Sequence, residues 1–400
     1  MRNNKKVRLL ILGLLSAIGP FSIDMYLPAF DTIALDFDTD IEKVQLSLTS
    51  FFVGIAIGQM IYGPLLDKYG RKKPLIVGLC IYVLTSILCV TTQNVDSLII
   101  LRFIQALGSC AGMVAARAIV QDYYTGKEAA RVFSLLMLVI AISPIFAPSI
   151  GAFLLDYLDW HFIFIALFSI GLLILILTIY FLPESYSGNK NFSLAPKAII
   201  TQYFQVFTNR TFIFYCLIAS TASAGLYAYL AGSSYVLQEL FGLNKKEYGL
   251  AFAFVASALI VSTQLNRVFL KRWSMQQICF VANIGQVLVG IMMVVSLWTN
   301  AITLPVILGL TFGYLMFQGF IFPNASAMAM GPFRMSAGSA SALLGFLQMG
   351  LGAVSSGLVS LFHNKTPQPI LFAMCICALL SLILHFIKRN IKVNEKEALF

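Results

Sequence analysis

The residues best placed to do chemistry are few. Asp24 interrupts the apolar run ILGLLSAIGPFSIDMYLPAF, residues 11–30, and Arg102 interrupts LRFIQALGSCAG, residues 101–112. Asp24 lies seven residues before Asp31, which opens an acidic stretch, and Arg102 lies six residues after Asp96. At 1.5 Å per helical residue, both are about 10 Å in from the ends of their segments. The protonation of a carboxylate at such a depth depends on how wet it is and on how near a guanidinium lies. Asp24 is therefore expected to take a proton from one side and release it to the other. Arg102 and Gln105, three apart on one helix face, are expected to govern that exchange. An arginine so deep in an apolar segment is costly and is usually paired or turned to a cavity.

Other chemistries are not expected. The seven cysteines (Cys80, Cys89, Cys110, Cys216, Cys279, Cys375, Cys377) lie within apolar segments and lack metal-ligand spacing. Cys375 and Cys377, two apart, point to nearly opposite helix faces. All seven read as small buried hydrophobes, with no disulfide and no metal site. His161, His363 and His385 fall at or near segment ends and read as interfacial. There is no G-x-x-x-x-G-K-[ST] loop for a nucleotide phosphate and no pair of catalytic carboxylates. Hence no cofactor and no enzyme activity are expected. Sodium coupling is disfavoured, because sodium needs several oxygen ligands and one buried carboxylate is evident.

The elements that must hold these residues are membrane helices. Of 400 residues, 59% are hydrophobic and 11% charged, with a mean hydropathy of +0.86, whereas soluble domains carry about 25% charged residues. Apolar runs long enough to cross a bilayer recur along the chain. Twelve spans are expected: 7–30, 43–64, 74–93, 97–120, 131–155, 161–183, 209–237, 247–267, 275–297, 301–325, 336–362 and 367–387. The first has a basic start like a signal peptide, but its apolar stretch is too long and no cleavage site follows.

Twenty-one Lys and Arg residues fall in the N-terminus, the connections after even-numbered spans, and the C-terminal tail. The opposite connections hold Lys43, Lys245, Lys246 and Lys365. Positive charge collects inside, so both termini are expected to be cytoplasmic. The net charge of +10 then reflects topology and implies no nucleic acid. Trp160, Trp273 and Trp298 fall at span ends, as an aromatic belt would. One long polar connection, PESYSGNKNFSLAPKAIITQYFQVFTNR at 183–210, becomes partly amphipathic and leaves six spans on each side. This predicts residues 1–183 as an N-terminal six-helix bundle and 184–208 as a cytoplasmic linker. Residues 209–400 form a C-terminal six-helix bundle with a short basic tail.

Three stretches add detail. In GPLLDKYGRKKPL, residues 63–75, Gly63 admits a neighbouring helix. Asp67 closes the span, Gly70 suits a tight turn, and Arg71, Lys72 and Lys73 anchor the turn inside. In span 4, Arg102, Gln105 and Gly108 keep a fixed spacing. In SPIFAPSIGA, residues 143–152, Ser143, Ala147 and Gly151 form a stripe of small residues, while Pro144 and Pro148 remove backbone donors. Gly338, Gly345 and Gly352 recur every seven residues in span 11.

The first stretch resembles the signature loop of the major facilitator superfamily, and the resemblance extends over the twelve spans. Arg102 and Gln105 match the family's R-x-x-Q region, with Ala106 and Leu107 displacing its glycine. The 143–152 stretch is similar to the antiporter motif, with glycines replaced by Ser143, Ala147 and Ala152. SIDMYLPAF (22–30) and RAIVQD (117–122) resemble the bicyclomycin-resistance (Bcr/CflA) branch of multidrug exporters. A second acidic position of related exporters is Ser16 here, which leaves the proton role with Asp24.

The resemblance implies an all-α integral membrane protein of two six-helix bundles. It also implies proton-coupled antiport of small amphipathic drug-like molecules across the inner membrane by alternating access. Gly63, Asp67, Gly70, Arg71 and Asp122 would latch the two halves, with Arg71 paired to Asp122. Tyr26, Gln105, Tyr229, Tyr235, Phe320 and Gln348 are candidate substrate contacts. The expected partners are a small-molecule substrate, protons and the lipid bilayer, with the chain acting as a monomer. A proton-coupled uptake symporter on the same fold is the alternative.

Overall fold

A computed structural model describes residues 5–124, 126–189, 193–299, 301–333, 337–362, 364 and 366–397. His363 and Lys365 lie outside the described residues. The described residues build fourteen α-helices and no strand. They are α1 (Lys5–Asp24), α2 (Phe30–Asp36), α3 (Ile41–Tyr69), α4 (Lys72–Val90), α5 (Val95–Tyr123), α6 (Gly126–Tyr157), α7 (His161–Phe181), α8 (Pro196–Phe207), α9 (Arg210–Ser234), α10 (Lys245–Phe269), α11 (Met275–Trp298), α12 (Leu304–Met330), α13 (Ala337–Leu361) and α14 (Gln368–Glu397).

Eleven runs among the described residues are long and apolar enough to cross a membrane. The 32-residue α6, with its apolar stretch Ile142–Tyr157, stands where the fifth span, 131–155, is expected. Two departures from the expected spans matter for function. The first span is broken after Asp24, passes through a 3₁₀ turn at Leu27–Ala29, and resumes as α2. The seventh ends in a π-helical stretch, Tyr235–Leu240.

Helix starts follow local chemistry. Asn94 and Asn209 accept the backbone N–H groups of Ser97 (2.8 Å) and Phe212 (2.9 Å). Ser274 and Gln277 form a reciprocal capping box. Large apolar side chains such as Leu173, Ile176, Met292 and Ile383 stay exposed on the spans, as helices facing lipid require.

Contacts gather the chain into two compact units, Met1–Gln202 with Gly242–Ala253, and Tyr203–Phe241 with Phe254–Phe400. Within the first, α1 packs on α5, α6 and α7; α5 packs on α3 and α4; and α4 packs on α7. Within the second, α9 packs on α12, α13 and α14, while α11 packs on α12 and α14. The pairings of α9 with α12, α13 and α14 and of α11 with α12 and α14 match those of α1 with α5, α6 and α7 and of α4 with α5 and α7, as an internal repeat would.

Trp273 and Trp298 are exposed at span ends, 50% and 72%. Trp160 departs from the belt expectation. It is buried and donates its indole N–H to Asp36 at 3.0 Å, because an indole taken out of water needs an acceptor. His385 also departs from expectation. It is buried, with Nδ1 3.4 Å from the Asn283 amide. All seven cysteines are free thiols, and all but Cys80 are buried.

Candidate functional site

The break in the first span is built into its sequence. Pro28 has no N–H to give the Asp24 carbonyl four residues back. The Tyr26 N–H bonds to Ile23 at 3.3 Å rather than to Ser22. The Ser22 carbonyl thereby leaves the helix ladder and is free to accept from elsewhere. Gly151 of α6 sits against the break so closely that a Cβ there would strike the Met25 carbonyl. Gly151 therefore permits this approach, and the neighbouring Ala147 of the small-residue stripe is fully buried. Pro144 and Pro148 lie inside the same helix.

Asp24 sits at this break, 4% exposed. Ser143, fully buried on α6, is the polar side chain that approaches its carboxyl, although the Ser143 hydroxyl makes no short hydrogen bond. No cation pairs with Asp24 among the described residues.

The similar depth of Asp24 and Arg102 allows them to pair, but the structure does not pair them. Asp24 and Ser22 are two apart, about 200° around the helix, so they address different neighbours. Ser22 faces α4 and α5, and Asp24 faces α6. Arg102, fully buried, donates through Nη2 to the released Ser22 carbonyl at 2.8 Å and through Nη1 to Gln105 Oε1 at 2.7 Å. Its guanidinium lies 4.2 Å from the Phe51 ring centre and 4.6 Å from that of Tyr26. Its Nε has no acceptor among the described residues.

The network continues through four helices. Gln105 Nε2 donates to Ser86 Oγ at 2.7 Å, Ser22 Oγ and Tyr82 OH are 2.7 Å apart, and Tyr26 OH and Ser47 Oγ are 2.8 Å apart. Gly108 lets α4 come close, since a Cβ there would lie 2.5 Å from the Tyr82 nitrogen. Tyr26 and Gln105, expected as substrate contacts, are both wholly buried and satisfy the guanidinium in this structure. A buried cation must be hydrogen-bonded; Gln105 and the Ser22 carbonyl accept from it, and Tyr26 meets it with its ring.

A second cluster surrounds the loop after α3. Gly70 has φ +87°, the left-handed turn that glycine supplies without strain. Arg71 donates through Nε and Nη2 to Asp122 at 2.9 and 3.2 Å, a forked pairing, and through Nη1 to Asp67 at 2.7 Å. Burial opposes the charge on Arg71, but the hydrogen bonds to Asp122 and Asp67 outweigh it and hold the guanidinium above its ordinary range. Gly63 is half-buried within α3, and Pro64 continues that helix.

Sequence reasoning missed the strap that covers this loop. Glu184 accepts the backbone N–H groups of Arg71 (2.8 Å) and Lys72 (3.1 Å), capping α4 from a distant segment. Ser185 donates to Asp122 at 2.7 Å, Tyr186 lies 4.5 Å over the Arg71 guanidinium, and the Asn189 N–H reaches the Asp67 carbonyl at 2.9 Å. The beginning of the expected linker is thus bound to the first unit. The acidic residue directly after Pro183 was its one sequence signal.

The remaining candidates lie in the second unit, where the buried polar groups of the span interiors are neutral. Gln318 donates to Ser223 at 2.6 Å, Gln286 to Gln318 at 3.4 Å, Asn324 to Asn266 at 2.8 Å, and Ser381 to Asn283 at 2.8 Å. Tyr229 lines a largely apolar cavity of about 10 Å³ with Ser233, Thr311 and Met374, room for about one water. Tyr235 is buried at the start of the π-helical stretch, and Phe320 is buried with its ring 5.6 Å from Phe269. Gln348 donates to Tyr227 OH at 3.5 Å. These four are not gathered around one cavity.

Comparison with known proteins agrees with this architecture. The family model described as Major Facilitator Superfamily matches residues 12–356. An uncharacterized MFS-type transporter of Bacillus subtilis is 32% identical over 94% of this chain and 94% of its own. A bicyclomycin resistance protein homolog of Haemophilus influenzae is 29% identical over 96% and 97%. Multidrug resistance protein D of Escherichia coli is 28% identical over 92% and 91%. Among solved structures, a D-xylose–proton symporter superposes with a TM-score of 0.75 at 12% identity, covering 96% of this chain and 97% of its own, a likeness of fold.

Proposed function

The chain belongs to the major facilitator superfamily, and from that premise we propose that it expels small amphipathic drug-like molecules in exchange for protons. It is a multi-pass membrane transporter rather than an enzyme. Relatives named for bicyclomycin and multidrug resistance support the direction and the substrate class.

The observation that carries the proton role is the placing of Asp24. It is a buried carboxylate at a helix break, approached by one hydroxyl and paired with no cation among the described residues. Its charged form is poorly tolerated while dry and well tolerated once water or a partner reaches it. Any movement of α6 against α1 changes that wetness and so moves a proton. Arg102, held by Ser22 and Gln105, fixes the local positive field and keeps the break in shape.

Tyr26, Gln105, Tyr229, Tyr235, Phe320 and Gln348 meet substrate when their unit opens to it. Gly63, Asp67, Gly70, Arg71 and Asp122 control the conformational switch. The protein sits in the inner membrane as a monomer, with both termini cytoplasmic and bundles at 1–183 and 209–400 joined by 184–208.

Everted vesicles energised to an acid interior test this reading. Adding a transported antimicrobial, found by screening a chemically varied panel, should dissipate part of the gradient for the wild type and none of it for Asp24→Asn. Substrate leaving the vesicles with protons would instead indicate uptake by symport.

A further inference from the structure

The connection between the sixth and seventh spans contains α8, and its side chains sort into three stripes. Ile199, Tyr203 and Val206 form one, with Tyr203 and Val206 only 8% and 3% exposed. Ile200, Phe204 and Phe207 form the second and are 65%, 64% and 47% exposed. Thr201, Gln205 and Thr208 form the third, also exposed. At about 100° per residue, the apolar exposed stripe lies about 100° from both the polar stripe and the inward one. Lys197, exposed, falls on the border between the apolar and polar stripes.

A helix with one face against its own protein and one in water has no use for a third face of isoleucine and phenylalanine in water. Three aligned, exposed large apolar side chains call for an apolar phase. Such a phase lies close by. Phe207 is three residues before Arg210, which opens the membrane-crossing α9. Tyr180, 65% exposed near the end of α7, marks the lipid-facing surface from which the connection departs. Lys197 and Arg210 place basic charge beside the stripe, where anionic headgroups attract it, and a border lysine can snorkel.

We propose that α8 lies along the bilayer surface, with Ile200, Phe204 and Phe207 sunk among the acyl chains of an anionic leaflet and Thr201, Gln205 and Thr208 in water. The helix then fixes the depth and angle at which the connection enters the second unit. This is the geometry of an interfacial anchor, and it holds whether or not Asp24 carries protons.

The test uses the full chain in phosphatidylethanolamine–phosphatidylglycerol vesicles. Spin labels are placed singly at 200, 204, 207, 201, 205 and 208 in a cysteine-free version that still transports. Collisions with oxygen should dominate at 200, 204 and 207, and collisions with a water-soluble nickel chelate at 201, 205 and 208. Chelate reaching both stripes equally, or neither reagent reaching 200, 204 and 207, overturns the proposal. The first would place the stripe in water, and the second would place it under protein. In the otherwise native chain, Phe204→Glu should lower thermal stability in vesicles and Phe204→Leu should not. Equal stability of the two overturns it as well.

Discussion

Equivalent helices of the two units are built differently. In the first unit, α1 breaks after Asp24 and receives Gly151 of α6 against the Met25 carbonyl. In the second, α9 runs on into a π-helical stretch, and Gly352 of α13 is pressed instead on the ring of Tyr227. The buried polar chemistry differs in the same sense. The first unit holds a carboxylate and a guanidinium in its interior, whereas the second holds amides and hydroxyls, with His385 and Lys388 buried only near the end of its last span. Duplicated architecture therefore carries unequal chemistry. One copy holds a carboxylate and a guanidinium deep in its spans, and the other holds chiefly neutral donors and acceptors there.

Variants can break or sharpen that contrast. Arg102→Ala should do the most damage to stability, about 3 kcal/mol or more, because two charge-assisted hydrogen bonds at about 1.5–3 kcal/mol each are lost. Purified protein should melt at a markedly lower temperature. An unchanged melting temperature would mean that the buried charge is not structural. Gly151→Val should follow, costing about 1–3 kcal/mol as the added side chain drives α6 from the break. Transport should fall even where the protein still reaches the membrane. Gly352→Val would press on a ring rather than on backbone, and should impair transport less.

Glu184→Ala removes the cap on α4 and should cost about 1 kcal/mol. Its distinctive signature is a slower transport rate at unchanged substrate affinity, measured by binding to purified protein. Ser223→Ala, in the neutral core, should cost least, about 0.6 kcal/mol, the average for an interhelical hydrogen bond in a membrane protein. It should leave proton coupling intact. A large coupling defect there would erase the distinction between the units.

The parts of this account that were legible in the sequence are those encoded over short distances. Hydropathy marked the spans, and the ordered Asp67–Gly70–Arg71 turn announced its own geometry, whereas its partner Asp122, 51 residues further on, was implied only by the resemblance to the superfamily's signature loop. Arg102 and Gln105, one turn apart, do hydrogen-bond to each other. The parts that were hidden depend on which face meets which helix. Where nearly every residue is apolar, periodicity does not say whether Asp24 turns toward Arg102 or toward α6. The outcome rests on a backbone break whose freed carbonyl takes the arginine. Glu184 caps a helix 113 residues earlier in the chain, and Tyr82 and Ser86 join the network only because Gly108 draws α4 in. Trp160 looked like a belt residue because its acceptor, Asp36, lies 124 positions away.

Proton release on substrate binding tests the central claim most directly. Purified protein in weakly buffered detergent solution, mixed with a transported compound, should acidify the medium as Asp24 gives up its proton. Asp24→Asn should bind the same compound with no acidification, and Arg102→Ala should alter the extent of release rather than abolish it. If Asp24→Asn releases as much acid as the wild type, the proton is carried elsewhere and Asp24 is not the coupling group.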